Sequence, residues 1–179
     1  MRFPAVICCA ATVLLFATPS FAQAHQRDPL TSKEVDQLRE TAQEPEKRLK
    51  LMVEFTRARM LSLEQLRTDP KAAKDRGERM HDLLQDIASM VDELDDNIDD
   101  YNQRNADLRK PLKGVIEMDS DLQTKLRDLN TAAEDPKNAG EAADYKFALE
   151  DAVESVNQSA DTSRKLLEEQ NVKFAKKKK

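Results

Sequence analysis

The stretch MHDLLQDIASMVDELDDNIDDYNQRNADLRKPLKGVIEMDSDLQTKLRDL, residues 80–129, decides the fold class of this chain. Its apolar side chains return in alternating steps of four and three residues, a spacing typical of coiled coils and helix bundles. A β-strand would require alternation at every second residue. We therefore predict an all-α protein, an antiparallel bundle of about four or five long amphipathic helices with coiled-coil-like packing. The seam positions are Met80, Leu84, Ile87, Val91, Leu94, Ile98, Tyr101, Asn105, Leu108, Leu112, Val115, Asp119, Leu122, Leu126 and Leu129.

Two of these seam positions, Asn105 and Asp119, are polar, and Pro111 interrupts the stretch. Proline costs about 3 kcal/mol inside a helix, because it lacks an N–H group and clashes with the preceding turn. The heptad phase nevertheless continues beyond Pro111. We therefore predict a kink or short break at this residue, with a reversal of the chain as the alternative.

Helix-start signals divide the chain that precedes the seam. Thr31–Glu34 has the pattern of a capping box, which predicts a short helix from about 32 to 43. Pro45 suits the first turn of a second helix that ends near Arg67. Asp69–Pro70 predicts the start of the long helix. The buried face of the second helix is expected to be Leu49, Met52, Val53, Thr56, Met60, Leu63 and Leu66.

A last helix is predicted after the connector at 134–140. Asn138, with Glu141 three residues later, has the spacing of a capping box, and the helix should extend to about Phe174. The middle of its seam is built from small residues, so a neighbour could approach closely there. The seam is Ala142, Tyr145, Leu149, Ala152, Val156, Ala160, Ser163, Leu167 and Phe174.

Charge predicts how the second and third helices pair. Residues 44–79 carry ten basic and seven acidic side chains, whereas residues 82–103 carry eight acidic and no basic ones. Exposed ion pairs add only about 0.2–1 kcal/mol each, so they select a partner and its direction more than they stabilise a bundle. A hairpin that turns at Pro70 would bring basic residues of one helix beside acidic residues of the next: Lys47, Arg48 and Lys50 beside Asp92 and Glu93.

The stretch DELDDNIDD, residues 92–100, carries six carboxylates. Asp95, Asn97 and Asp99 match the first three ligand positions of an EF-hand loop, but Asp100 replaces its glycine and Ala106 its final glutamate. Because the apolar period runs straight through this stretch, we predict a solvated acidic helix face. Weak cation binding at Asp95 and Asp99 is the alternative. A catalytic carboxyl pair would need a pocket that holds a proton near neutral pH, and the pattern indicates none.

Residues 1–24 are typical of a secretory signal peptide. Met1–Arg2 gives a positive start, Ala5–Ala17 is apolar, and small residues precede cleavage after Ala22 or Ala24. The apolar run is shorter than the roughly 20 residues that span a bilayer. We therefore predict a periplasmic or secreted protein without a membrane span.

Removal of the signal peptide changes the chemistry of the chain. Cys8 and Cys9 are its only cysteines, so the mature chain would have no thiol for a disulfide, a zinc site or a nucleophile. Both cysteines stand at the front of the apolar run, which disfavours a lipid anchor. Loss of Arg2 takes the net charge from −5 to −6.

Both ends of the mature chain carry a candidate binding feature. Cleavage after Ala22 would leave His25 in third position, where a free amine, two amides and an imidazole suit Cu(II) or Ni(II). Otherwise His25 is an ordinary solvated residue.

Lys176–Lys179 form a basic tail, which is either solvated or attracted to an anionic envelope surface. The rest of the mature chain is acidic and would repel phosphate groups, which disfavours the binding of nucleic acid. Residues 25–175 are expected to form a single helical-bundle domain without a cofactor.

Two segments carry a resemblance to known families. Leu30–Glu34 (LTSKE) resembles the L-T-x-x-Q signature of small periplasmic helical stress proteins, with Glu34 in place of glutamine and a single copy. Residues 30–66, which include EVDQLRE and EPEKRLKLMVEF, are similar to exported bacterial helical proteins of unknown function. The resemblance implies a helical fold and an envelope compartment, and it implies no reaction.

The sequence thus favours a non-enzymatic protein with an interaction, scaffold or chaperone-like role. Its partner would be another protein or a second copy of the chain, and the small-residue seam of the last helix is the predicted docking groove. Low-affinity binding of a cation or metal is the alternative function.

Overall fold

The structure, a computed structural model, describes residues 27–176. Within this range it contains five α-helices and no β-strand, which confirms the predicted all-α fold. The signal peptide, His25 and Lys177–Lys179 lie outside the described residues. The helices are α1 (Ser32–Glu40), α2 (Pro45–Thr68), α3 (Arg76–Gln103), α4 (Arg109–Ala133) and α5 (Ala139–Lys176).

The first two helices begin where the sequence predicts. In the capping box of α1, the Thr31 hydroxyl accepts a hydrogen bond from the Glu34 N–H, and the Glu34 carboxylate accepts one from the Thr31 N–H at 2.7 Å. Pro45 is the first residue of α2. Proline is tolerated there because the first N–H groups of a helix have no intrahelical acceptor.

The other two predicted starts are correct only in part. Asp69 accepts a hydrogen bond from the Lys71 N–H at 2.9 Å, but this cap opens a 3₁₀ turn at Pro70–Ala72, and α3 begins later. Asn138 immediately precedes α5, as predicted. The Glu141 carboxylate, however, accepts three hydrogen bonds from the Arg76 guanidinium of α3 and ties two helices together.

The four long helices form a ring in which α2 and α5 each pack on both α3 and α4. Each helix runs antiparallel to the one before it. Arg48, early in α2, donates to Asn97, late in α3, at 2.7 Å. Leu108, at the start of α4, donates to Gln170, near the end of α5, at 2.7 Å. The short α1 lies against α2.

The chain reverses between α3 and α4, so the predicted kink at Pro111 is wrong. Ser159 of α5 is within hydrogen-bonding distance of both Asp95 of α3 and Asp119 of α4. In one continuous helix these two aspartates would be about 36 Å apart. Asn105 makes the turn with a φ of 61°, and it is exposed rather than part of the seam. Pro111 is the third residue of α4. The N–H group that proline lacks would have no intrahelical acceptor at this position, so the helix loses no hydrogen bond.

The predicted buried faces otherwise agree with the structure. All seven positions of α2 are buried, and so is every seam position from Met80 to Leu129 except Asn105. In α5 the predicted seam holds as far as Ser163. Beyond it, Leu166 and Gln170 are buried while Leu167 and Phe174 are half-buried, because a straight helix drifts from a strict heptad.

The predicted charge pairing between α2 and α3 involves one residue only. Arg48 contacts Asn97 and lies 3.9 Å from Glu93. Lys47 pairs with Glu44, the residue that precedes α2, and Lys50 pairs with Glu54 of α2 itself. Flexible lysines reach the nearest acid one turn away, whereas the partly buried Arg48 is held against α3.

Candidate functional site

A buried polar cluster lies in the middle of the bundle, where α3, α4 and α5 meet. It consists of Asp95, Asp119 and Ser159. The Ser159 Oγ is 2.8 Å from the Asp95 Oδ1 and 3.4 Å from the Asp119 Oδ2. Asp119 and Ser159 are 0% exposed, and Asp95 is partly buried. Two carboxyl groups on different helices therefore share one hydroxyl inside the core.

Burial disfavours the charged form of both carboxyl groups. It raises the pKa of Asp119 to about 7, and the neighbouring Asp95 raises this pKa further, against opposing contributions from Ser159 and Arg164. Burial raises the pKa of Asp95 to about 6, although the Ser159 hydroxyl lowers it. A surface aspartate titrates near 4, so both groups hold protons at pH values where other aspartates are ionised.

The prediction that the whole acidic stretch faces water is therefore wrong for Asp95. Asp92, Asp96, Asp99 and Asp100 are exposed, as expected, and the stretch is helical throughout, which leaves no EF-hand loop. Asp95 adjoins the seam residue Leu94 on the side that α5 covers. The apolar period of α3 does not predict the burial of Asp95, because it identifies one buried face and does not show on which side of that face α5 packs.

Ser159 and Gln170 were missed by the sequence analysis. Both are buried polar residues of α5, 0% and 1% exposed. Ser159 immediately precedes the seam residue Ala160. Both positions carry small side chains, so the sequence could have indicated a buried face that is two residues wide at this point. A helix that packs against two others buries such a wider face.

The candidate metal ligands do not converge. Within residues 27–176 no three His, Cys, Asp or Glu side chains are grouped closely enough to hold a metal ion. Asp99 is exposed on α3, one turn from Asp95, and His25 lies outside the described residues. In the described part of the chain, Asp82 is the one carboxylate within ion-pair distance of His81, at 3.6 Å.

An acidic groove follows the surface between α3 and α5. Among residues 27–176, its walls carry five carboxylates and neither lysine nor arginine. Asp95 forms part of the floor, so this groove adjoins the buried cluster. The carboxylates are Asp92, Asp95, Asp96, Asp151 and Glu154.

A longer groove, of about 1120 Å³, lies between α4 and α5. Its walls combine apolar residues such as Leu126 and Val153 with charged ones such as Arg127 and Glu150. Phe147 is 74% exposed on α5, one turn from Glu150. The predicted docking groove on the small-residue seam is not open, because Ala152 and Ala160 are 0% exposed and packed by the protein's own helices.

No protein-family model, curated protein or solved structure matches this chain. The resemblances noted in the sequence therefore stay predictions. Among the helices of residues 27–176, none has both the length and the apolar character required to cross a bilayer.

Proposed function

We propose that this chain is an exported, non-enzymatic helical bundle that binds another protein, or a second copy of itself, through the groove between α4 and α5. A scaffold or chaperone-like role in the cell envelope follows from such binding. The observation that carries the proposal is Phe147, whose ring is 74% exposed on α5 between the groove-lining residues Lys146 and Leu149. Aromatic residues are common energetic centres of protein interfaces.

The energetics support the use of Phe147 as an anchor. Burial of a phenylalanine side chain is worth about 1.5–3 kcal/mol relative to its exposure to water. The groove offers apolar contacts at Leu126 and Val153 and charged residues at its rim, an arrangement that resembles an interface core with a polar border.

Site-specific photo-crosslinking tests this proposal. A photoreactive amino acid replaces Phe147 in one variant and Leu61 in a control, since Leu61 is also exposed (54%) but lies on α2. We expect discrete crosslinked products from position 147 alone, and mass spectrometry identifies them as another protein or a second copy. Equal products from both positions, or none from position 147, would contradict the proposal.

Export is part of the same proposal and has its own test. It is supported by the charged start, the short apolar run and the small residues of 1–24. The intact mass of the protein recovered from cells that express the full chain should correspond to cleavage after Ala22 or Ala24. Recovery of the uncleaved chain from the cytoplasm would refute export and leave the groove proposal standing.

A second candidate function is low-affinity attraction of cations into the acidic groove between α3 and α5, by its summed charge and not by a formed ligand set, since no three of the described carboxylates are close enough to hold one ion. The observation that favours it is the set of five carboxylates without a basic residue on the same walls. Hard cations such as Ca²⁺ prefer carboxylate oxygens. Calorimetric titration of the full chain with Ca²⁺ should give a weak signal that the double variant Asp96→Asn, Glu154→Gln lacks. No heat of binding at millimolar Ca²⁺ would eliminate this function.

A further inference from the structure

The buried cluster of Asp95, Ser159 and Asp119 has too few hydrogens for its short oxygen–oxygen contacts when both carboxyl groups are ionised. Ser159 lies near one oxygen of each aspartate, at 2.8 Å and 3.4 Å. A serine hydroxyl has a single hydrogen, so it donates to one of these oxygens only. If both carboxyl groups were ionised, the other contact would place two acceptor oxygens together without a hydrogen between them.

A second observation at the same place is independent of this distance argument. Among residues 27–176 no group donates a hydrogen bond to the Asp119 Oδ1, although Asp119 is 0% exposed. An ionised carboxylate that is buried and unpaired is among the most costly groups in a protein core. The hydroxyl of Ser163, one turn from Ser159 and 1% exposed, is also unpaired within these residues.

The charged groups around the cluster do not neutralise it. From α3, Asp92, Asp96 and Asp99 add negative potential at Asp95. From α5, the positive charge of Arg164 acts favourably on Asp119, but its guanidinium also pairs with Asp161 at 3.6 Å.

The remaining neighbours do not offset this negative charge. Asp151 and Glu154 of α5 line the acidic groove whose floor includes Asp95. The buried face of α2 has no titratable residue. The ion pairs that join α2 to α4, such as Arg57 with Glu117 at 3.9 Å and Glu64 with Lys125 at 2.9 Å, have partly or largely exposed side chains.

We propose that the cluster is a proton-binding site: Asp119 carries a proton that it donates to Ser159, and Ser159 donates its own hydrogen to an ionised Asp95. One added proton gives every short contact a hydrogen and reduces the charge of the cluster from −2 to −1. Loss of this proton leaves two carboxylates facing each other between α3, α4 and α5, and it weakens the packing of α5 against the other two helices. The bundle is thus closed at acidic pH and loosened at alkaline pH.

The direction of the pH dependence follows from proton linkage. The pKa of Asp119 is raised to about 7 and that of Asp95 to about 6, so between pH 4 and 7 the folded state holds more protons than the unfolded one. Stability from these groups is complete below about pH 4 and is lost as the pH rises through 6 and 7.

The test uses the full chain, the variant Asp119→Asn and the control Asp121→Asn. Asp121 lies on the same helix and carries the same charge, but its side chain is 49% exposed. Urea unfolding at pH 5 and pH 8 should give a lower midpoint at pH 8 for the unmodified chain and for Asp121→Asn. For Asp119→Asn, in which a neutral amide replaces the protonated acid, the difference should shrink by at least half.

Infrared spectroscopy at pH 6 provides a direct readout that does not depend on the variant's stability. The unmodified chain and Asp121→Asn should show the C=O stretch of protonated carboxyl groups, and Asp119→Asn should show only the weaker band that Asp95 contributes. Absence of this band in the unmodified chain, or equal midpoints at pH 5 and 8, would overturn the proposal. Recovery of the midpoint at pH 8 by calcium or sodium, but not by choline at the same ionic strength, would show that a metal cation occupies the site instead.

Discussion

At the scale of single residues, Arg59 fastens the start of the described chain to the bundle. Its guanidinium donates to both oxygens of the Glu34 carboxylate, at 2.8 and 2.6 Å, and to the Pro29 carbonyl. The side chains of Arg59 and Glu34 are each 14% exposed. Hydrogen bonds from Arg59 lower the pKa of Glu34 to about 2 and outweigh the opposing effect of burial. This pair therefore differs from the exposed ion pairs elsewhere on the surface.

The variant Glu34→Gln isolates the charge of this pair. Glutamine retains the capping box of α1, because an amide oxygen also accepts from the Thr31 N–H. We expect the free energy of unfolding at pH 7 to fall by about 1.5–3 kcal/mol, the usual range for a hydrogen bond to a charged group. Urea unfolding measures it. Asp36→Asn is the control, since the pair of Asp36 with Arg39 is exposed and should be worth less than about 1 kcal/mol. An equal loss in both variants would contradict the special role of Arg59.

Substitution by alanine should have opposite effects on stability at two glycines, Gly77 and Gly114. A Cβ atom at Gly77, in the first turn of α3, would overlap the Asp144 Oδ2 and lie 2.9 Å from the Asp144 Cβ. At Gly114, in α4, it would meet nothing within 4 Å. We expect Gly77→Ala to lower the free energy of unfolding by about 1–2 kcal/mol through overpacking. Gly114→Ala should raise it by about 0.5–1 kcal/mol, because alanine loses less backbone entropy.

Thermal unfolding of the two variants under one condition measures this contrast. Gly114→Ala also serves as the control for the effect of alanine on a helix in this protein. If both substitutions raised the Tm, α3 and α5 would be further apart at Gly77 than the structure places them.

At the scale of the helices, periodicity identifies faces but not directions. The seven buried positions of α2 follow from spacing alone, because they form a single apolar stripe that recurs with the helical period. The reversal after Tyr101 did not follow from spacing. Leu108 happens to fall seven residues beyond it, so the heptad count continues across a turn that Asn105 makes at positive φ.

Gln170 holds this reversal in place. Its Oε1 accepts from the Leu108 N–H at 2.7 Å, and its Nε2 donates to the Ala106 carbonyl at 3.1 Å. Gln170→Leu keeps the apolar bulk but leaves both backbone groups unpaired in the interior. A buried unpaired group costs about 1–3 kcal/mol, so we expect a loss of at least that size in the free energy of unfolding.

Amide hydrogen exchange provides the local measurement for this prediction. The Leu108 amide should exchange at least tenfold faster in Gln170→Leu, since roughly 1.4 kcal/mol corresponds to a factor of ten. Gln158→Leu, at an exposed position of the same helix, is the control and should leave that amide unchanged. Slow exchange at Leu108 in both variants would mean that another group closes the turn.

At the scale of the whole molecule, the sequence predicted the fold class and one member of the buried cluster. Asp119 was visible as a polar break in an apolar seam. Its partners were not, because Asp95 and Ser159 stand beside their seams and become buried only when α3 and α5 pack together. Contacts between helices depend on their order around the ring, and a one-dimensional period does not contain that order.

The stability of the bundle depends on pH in opposite directions at two sites, the Glu34–Arg59 pair and the buried cluster of Asp95 and Asp119. Together these two dependences predict the pH at which the bundle is most stable. Glu34 contributes stability that is present above about pH 4.5 and is lost as the pH falls towards its pKa of about 2. Asp95 and Asp119 contribute stability that is lost as the pH rises from about 4 through 6 and 7. The net charge of −5 at pH 7 adds repulsion in the same direction as the second effect.

We therefore expect the Tm of the full chain to be highest between about pH 4 and 5 and to fall on both sides. Circular dichroism at a series of pH values measures this profile. Glu34→Gln should flatten the acidic side alone and Asp119→Asn the alkaline side alone, because the two sites lie on different helices and share no partner. Asp121→Asn removes one exposed negative charge and should keep the wild-type shape, which separates the buried proton from general repulsion. A maximum at pH 7 or above would show that neither site controls the stability of the bundle.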